Sequence, residues 1–272
     1  MEETIWALTL HPASLWLLAS LLQIDSPIGI QERFDGLVNS EVEALVQQAR
    51  QELTRRDLAQ FRPDGPVELD AGVVSLVIAT AAAGCTLAVF HSTSDHTPRI
   101  RYIHLAEGLL VEQETLPDGQ VMLTAVRDAE TLAQRLAEFI GLAEAPIASG
   151  PAAELSQADL AAARELAGVS DVAACRAHLR STGIPAAVAA ALAETLVGGQ
   201  AISAVVLHRE VTELRVGESL AWLAGRAGVW RALPAVGESG QVRIRLAPAT
   251  TAEVHDQIKR LLLHEEHEDV RK

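Results

Sequence analysis

Residues 240–262 read GQVRIRLAPATTAEVHDQIKRLL, and residues 119–140 read GQVMLTAVRDAETLAQRLAEFI. Both open on Gly-Gln-Val, and the likeness continues past those three residues. Val121, Leu123 and Ala125 alternate with Met122, Thr124 and Val126, just as Val242, Ile244 and Leu246 alternate with Arg243, Arg245 and Ala247. A period of two marks a strand with one face buried. Each strand then meets a polar helix start, at 128–131 and at 248–251. Within the helices Leu132, Leu136, Phe139 and Ile140 correspond to Val254, Ile258, Leu261 and Leu262. That i, i+4, i+7, i+8 stripe lays one side of each helix on a core.

The correspondence extends backwards. Turns LPDGQ (116–120) and VGESGQ (236–241) follow the β-like runs LLVEQETL (109–116) and GVWRAL (228–233), so each copy holds a hairpin. Earlier, LAVFH (87–91) resembles AVVLH (204–208), each after a helical segment, at 69–83 and 185–197. Earlier still, ELTRRDLAQ (52–60) and AHLRSTGIP (177–185) close amphipathic helices. Ser40 is the expected N-cap of the first, and Ser170-Asp171 precede the second. Between the copies, 144–157 has the Pro, Gly and small residues of a linker, and Ser156 with Asp159 opens the next helix. The fold class expected is α+β, with two quasi-symmetric duplicated halves related by a pseudo-twofold axis. Each half is an antiparallel sheet with packed helices, joined to the other edge to edge or face to face. The boundaries follow: 1–143, a linker at 144–157, 158–263, and a charged tail at 264–272.

Composition narrows the function. Hydrophobic residues make up 49% of the 272 and aromatics only 3%, so Ala, Leu and Val carry the core. A net charge of −14 sets the averaged field against a nucleic-acid partner. The pairs Arg99 with Arg101 and Arg243 with Arg245 each fit a strand with a solvated outer face. Cys85 and Cys175 form no CxxC pair and suit buried thiols in a reducing, cytoplasmic setting. The acidic opening MEETIW and His11-Pro12 do not make a secretion signal. Residues 71–90 carry no charge, yet their Ala, Thr, Ser and Gly content and Gly84 read as a buried helix running into a central strand.

No phosphate-binding glycine loop, nucleophile elbow or zincin motif is present. His264 and His267 stand one helical turn apart but lie in a charge run at the chain end, read as solvated. His91 and His208 sit at matched strand ends; as a general base either would need Asp95 or Glu210 within reach. Neither enzymatic chemistry nor a cofactor nor a metal is expected. A partner-binding surface is: Trp222 and Trp230 flank the second hairpin, and Ser94, Asp95 and His96 lie in a polar loop. The alternative is a small-ligand or catalytic pocket between the halves, built on His91, His208 or Glu210.

The order of elements resembles the EspG proteins of type VII (ESX) secretion systems. Three stretches carry the resemblance: LTLHPASLWLLASLL (8–22), ELTRRDL (52–58) and VRIRLAPATTAEVHDQIKRLL (242–262). They look like the family's opening strand and leucine-rich helix, its helix ending in L-x-x-[RK]-G-L, and its last strand, Pro-containing turn and helix. Asp57 stands where the family tends to have Gly, while Gly183 occupies the matching place in the second half. The resemblance implies a cytosolic, non-enzymatic chaperone that binds a helical, PPE-type protein. A homodimer is a further expectation.

Overall fold

The first half begins with β1 (Thr4–Leu10), α1 (Pro12–Leu22) and α2 (Asn39–Arg55). Two very short strands, β2 (Ala59–Gln60) and β3 (Glu68–Leu69), precede α3 (Ala71–Ala81). Then come β4 (Cys85–Thr93), β5 (Arg99–Ala106), β6 (Leu109–Thr115) and β7 (Val121–Val126), followed by α4 (Ala129–Ile140). The second half repeats the order with β8 (Ala153–Leu155), α5 (Gln157–Gly168), α6 (Val172–Ser181) and α7 (Ala186–Leu196). It closes with β9 (Gln200–Arg209), β10 (Leu214–Gly225), β11 (Gly228–Val236), β12 (Val242–Ala249) and α8 (Thr251–Glu268). This computed structural model describes residues 4–268 apart from 63–64, 94–97, 107, 143–145, 149, 210–213 and 238–239.

β2 and β3 pair only with each other; the other ten strands form one sheet in the order β1-β7-β6-β5-β4-β9-β10-β11-β12-β8. Outward from the centre, each half contributes its strands in the same sequence. The halves join edge to edge through antiparallel β4 and β9, with Cys85 opposite His208 and Ala88 opposite Val205.

Local chemistry explains most boundaries. The uncharged run from residue 71 becomes a helix because Asp70 accepts the Val73 N–H at 3.0 Å. It stops before Gly84, and a Thr- and Val-bearing strand follows. Asp128 caps α4 through the Thr131 N–H at 2.8 Å, and Gly141 closes it at φ 61°. Ser156 caps α5 as expected. At α2 the expectation shifts: the helix starts at Asn39 after Val38, and the Glu41 carboxylate accepts the Val38 N–H at 3.0 Å. Ser40 therefore lies inside the first turn, because a carboxylate three residues on supplies the cap.

Two corrections concern the second half. The stretch read as linker contains β8, whose Leu155 and Ala153 oppose Ile244 and Leu246 and are buried. It forms the outer edge of the sheet, as β1 does on the other side. Nearby, buried Ala148 approaches Gly228 so closely that a Cβ there would lie 2.4 Å from its nitrogen, and Gly228 holds φ at +127°. Val242, expected on the buried face of its strand, is 75% exposed.

Helices cover both faces of the sheet in three layers. On the back face lie α4 and α8, whose two expected stripes are all buried against Cys85, Leu87 and Val89 of β4 and Ile202, Ala204 and Val206 of β9. This cluster crosses the seam, and each buried Leu, Ile or Val in it contributes roughly 1.5–3 kcal/mol. On the front face, α1, α2 and α3 cover the first half, and α5, α6 and α7 the second. Cys85 and Cys175 are buried thiols outside any disulfide, and burial, with Asp171 nearby, pushes the Cys175 thiol up. Among the described residues no helix is long and apolar enough to cross a membrane.

Candidate partner-binding face

The front helices leave a gap. α3 packs over β5 and β6, and α7 over β10 and β11. Between them β4 and β9 show half-buried Phe90, Val205 and Leu207. Leu207 pairs with Val216 on β10, which is 71% exposed, and Leu214 beside it is 48% exposed. Val236 and Val242 oppose each other at the open end of β11 and β12, exposed by 77% and 75%. Period-two alternation puts all of these on the front. The covered end of the same face holds Leu223, Trp230 and Leu246, packed under α7. Clustered exposed apolar side chains of this kind are a feature of interaction surfaces.

The sheet also forks there. The β10–β11 ladder runs from Gly225 and Gly228 only as far as Ala221 and Ala232. Beyond that β10 stays with β9, and β11 stays with β12. β10 carries a bulge between Val216 and Ser219, and a Cβ on Gly217 would lie 2.6 Å from His208 Nε2. On the facing strand Pro234 has no N–H to donate. Bulge and proline together end the ladder and splay its two arms, leaving apolar side chains on both.

A buried polar chain anchors the first-half side of this face. Gln113 Nε2 donates to the Ile28 carbonyl at 2.9 Å, which leaves Gln113 Oε1 3.0 Å from His104 Nε2. With Nε2 donating there, His104 Nδ1 accepts from the Thr86 hydroxyl at 3.1 Å. The neutral ring thus satisfies every group in the chain. Burial, reinforced by Arg209 against a raising bond from Gln113, lowers the His104 pKa to about 4. Arg209 of β9 also meets Asp25 at 3.2 Å, so the segment after α1 is tied to both halves.

Trp222 and Trp230, expected at a partner surface, are 1% and 0% exposed. Trp230 donates from Nε1 to Thr195 Oγ1 at 3.2 Å under α7, and Trp222 lies in the back-face core. An Ala-rich interior leaves holes that only a large ring fills, and that need placed both tryptophans. Ser94, Asp95 and His96 lie outside the described residues, between β4 and β5. So do Glu210 and the side chains of His264 and His267. His91 and His208 do not converge: His208 stands opposite Cys85, six positions from His91 along the pair, a separation of about 20 Å. His91 bonds Gln200 Oε1 at 2.5 Å and packs edge-on against Phe139. A cleft of about 420 Å³ beside Thr93, Arg164, Thr195 and Gln200 is lined by neither histidine. Among the described residues no group of His, Cys, Asp and Glu is placed to hold a metal ion. Leu214, Val216 and Val236 were not singled out in the sequence, and Val242 was read as buried; the one signal was for Val236 and Val242, apolar residues at both ends of the turn between β11 and β12.

The sequence profile of the EspG family matches residues 11–260. The chain belongs to the EspG family. Its fold is similar to that of the Mycobacterium tuberculosis type VII secretion system chaperone EspG5, solved in complex with a PE25–PPE41 dimer. The two share 16% identity with a TM-score of 0.62, over 94% of this chain and 96% of that one. No sequence among curated proteins matches it. This EspG-family chain shares with that structure the architecture; its forked, apolar front face is described from its own residues.

Proposed function

We propose that this EspG-family protein is a cytoplasmic, non-enzymatic chaperone of type VII secretion that holds the apolar end of a helical PPE-type substrate. The observation that carries the reading is the front face, where Leu214, Val216, Val236 and Val242 are exposed together on the two arms of the forked sheet. A helical tip laid into the fork would cover them, and burial of apolar area would drive the association. Family membership and the likeness to a chaperone solved with its PE–PPE cargo support the choice of partner. The loop carrying Ser94, Asp95 and His96 follows Thr93, opposite Gln200 and seven positions from Leu207, and is proposed to give polar contacts to a part of the partner away from the fork.

The test is capture of a purified PE–PPE heterodimer, followed by calorimetry with the wild-type chain and with V216D/V236D. Both side chains are solvent-exposed, so the variant should keep its melting temperature yet lose affinity by about thirtyfold or more, as for the loss of interface anchors. Undiminished capture by a folded V216D/V236D chain would place the binding site elsewhere. Failure of any PE–PPE dimer to bind the wild type would end the chaperone reading.

A further inference from the structure

The back face of the sheet treats charge differently in its two halves. In the first half Arg101 pairs with Glu112 and Glu114, each at 2.5 Å, and Arg99 pairs with Glu114 at 2.9 Å. Arg135, reaching from α4, meets the other Glu112 oxygen at 2.6 Å. Both strand arginines also stack on Phe139, with guanidinium carbons 4.8 and 4.3 Å from the ring centre. The three arginines share these two carboxylates, each meeting at least one, and Glu112 is 1% exposed. The set is closed.

On the same face of the second half the strands carry arginines without such partners. Arg231 on β11 and Arg243 and Arg245 on β12 all point to the back, since Trp230 and Leu246 between them point to the front. Arg245 is opposite Leu233, and Arg231 is its diagonal neighbour, at about 7–8 Å. Arg231 has a buried Nε with no acceptor, and so has Arg243, whose terminal nitrogen donates to the Glu154 carbonyl at 3.0 Å. Among the described residues neither Arg231 nor Arg245 has an ion pair. Glu154 stands opposite Arg245 on β8, but its carboxylate makes no ion pair with it. Three unneutralised guanidinium groups around a half-buried leucine are unusual in a chain of net charge −14.

We infer that this arginine face of β11 and β12 is a second docking surface, and that its occupant is an acidic peptide segment of a protein partner. Charge complementarity selects carboxylates, which match guanidinium groups bidentately. Leu233 among the arginines selects a segment with apolar residues between its acids over a bare polyanion. At physiological salt the overall negative field is screened beyond about 8 Å, whereas contact pairs on the face are not. The surface lies on the side of the sheet opposite the fork, so its occupancy is independent of the cargo reading, and the two can fail separately.

The experiment is fluorescence anisotropy of a labelled peptide repeating Glu-Glu-Leu, with its Gln-Gln-Leu counterpart, on the full chain at low and physiological salt. Wild type should bind the acidic peptide in a salt-dependent manner and ignore the amide one. R231Q/R245Q, which leaves the Arg243 bond to the backbone intact, should weaken binding about tenfold or more with an unchanged melting curve. R164Q/R176Q/R180Q, which removes three arginines from α5 and α6, should not. Equal loss in both variants would mean diffuse attraction and overturn the proposal, as would no binding by wild type. Displacement of the peptide by pyrophosphate or a short oligonucleotide at lower concentration than by unlabelled peptide would overturn the choice of a peptide.

Discussion

His104 shows how one side chain couples the fold to pH. Its pKa is about 4 in the folded protein against an ordinary 6.5, because burial penalises the cation and its neighbours need the neutral ring. The unfolded chain therefore takes up a proton that the folded one refuses. Above pH 6.5 the group contributes nothing; as pH falls from 6.5 to 4 it removes stability, on the order of 3 kcal/mol in all. Melting temperatures of wild type and His104→Asn between pH 7 and 5 should diverge in slope, with the wild type falling faster. Parallel slopes would mean that His104 takes up its proton as readily in the folded as in the unfolded chain. Trp230 belongs to the same scale. With its ring fully buried and its N–H held by Thr195, Trp230→Ala should cost about 3–5 kcal/mol. That is about 10 °C of melting temperature in a chain of this size. Loss of PE–PPE capture at full thermal stability would instead make Trp230 a contact residue. Neither position was fully legible from sequence. A tryptophan beside a hairpin suits a core or a surface equally, and nothing near His104 in the chain announces Gln113 and Ile28.

Elements were far more legible than sites. The stripes on α4 and α8 and the alternation in β7 are periodic signals, and periodicity is what side-chain direction imposes on a sequence. β8 was hidden because three residues are too few to show a period, and its neighbours are rich in Pro, Ala and Gly. Helix ends carry finer information. After α2 the Leu58 N–H donates to the Leu53 carbonyl at 2.9 Å, and Asp57 adopts φ 55°. After α6 the Ile184 N–H donates to the Leu179 carbonyl at 3.4 Å, and Gly183 adopts φ 91°. Both are left-handed helix stops of the same hydrogen-bond pattern. Asp57 thus performs the task that Gly183 performs without strain, which accounts for the departure from the family's usual glycine. Gly183→Ala should lower stability by about 1 kcal/mol, while Asp57→Gly should change it by less than about 1 kcal/mol, in the favourable direction. Urea midpoints decide this; a neutral Gly183→Ala would remove the conformational argument.

At the scale of the molecule, the sequence announced two halves but not how they meet. β4 and β9 are apolar on both faces, as any central strand would be, and no residue in either names the edge that will receive it. The register that sets Ala88 against Val205 emerges only when both halves fold, whereas the fork, on β10, β11 and β12, belongs to the second half alone. Because the back-face core crosses the seam, the chain should melt in a single calorimetric transition with equal calorimetric and van't Hoff enthalpies. Residues 1–142 expressed alone should not yield a stable monomer, since β4 would present an open, apolar edge. Two resolved transitions would show that each half holds its own core.

The β4–β9 seam has a bearing on dilution. Two separate chains could build the same ten-stranded sheet, but their union would weaken as concentration fell, and the assembly would carry every surface twice. Here the connection between α4 and β8 keeps the partner edge at a fixed effective concentration, so the sheet persists at any copy number. The halves are also free to differ. One pairs its back-face arginines with carboxylates; the other forks its front and bares its arginines. Each molecule therefore offers one fork, and if the proposed fork takes the cargo, its capacity is one cargo per chain.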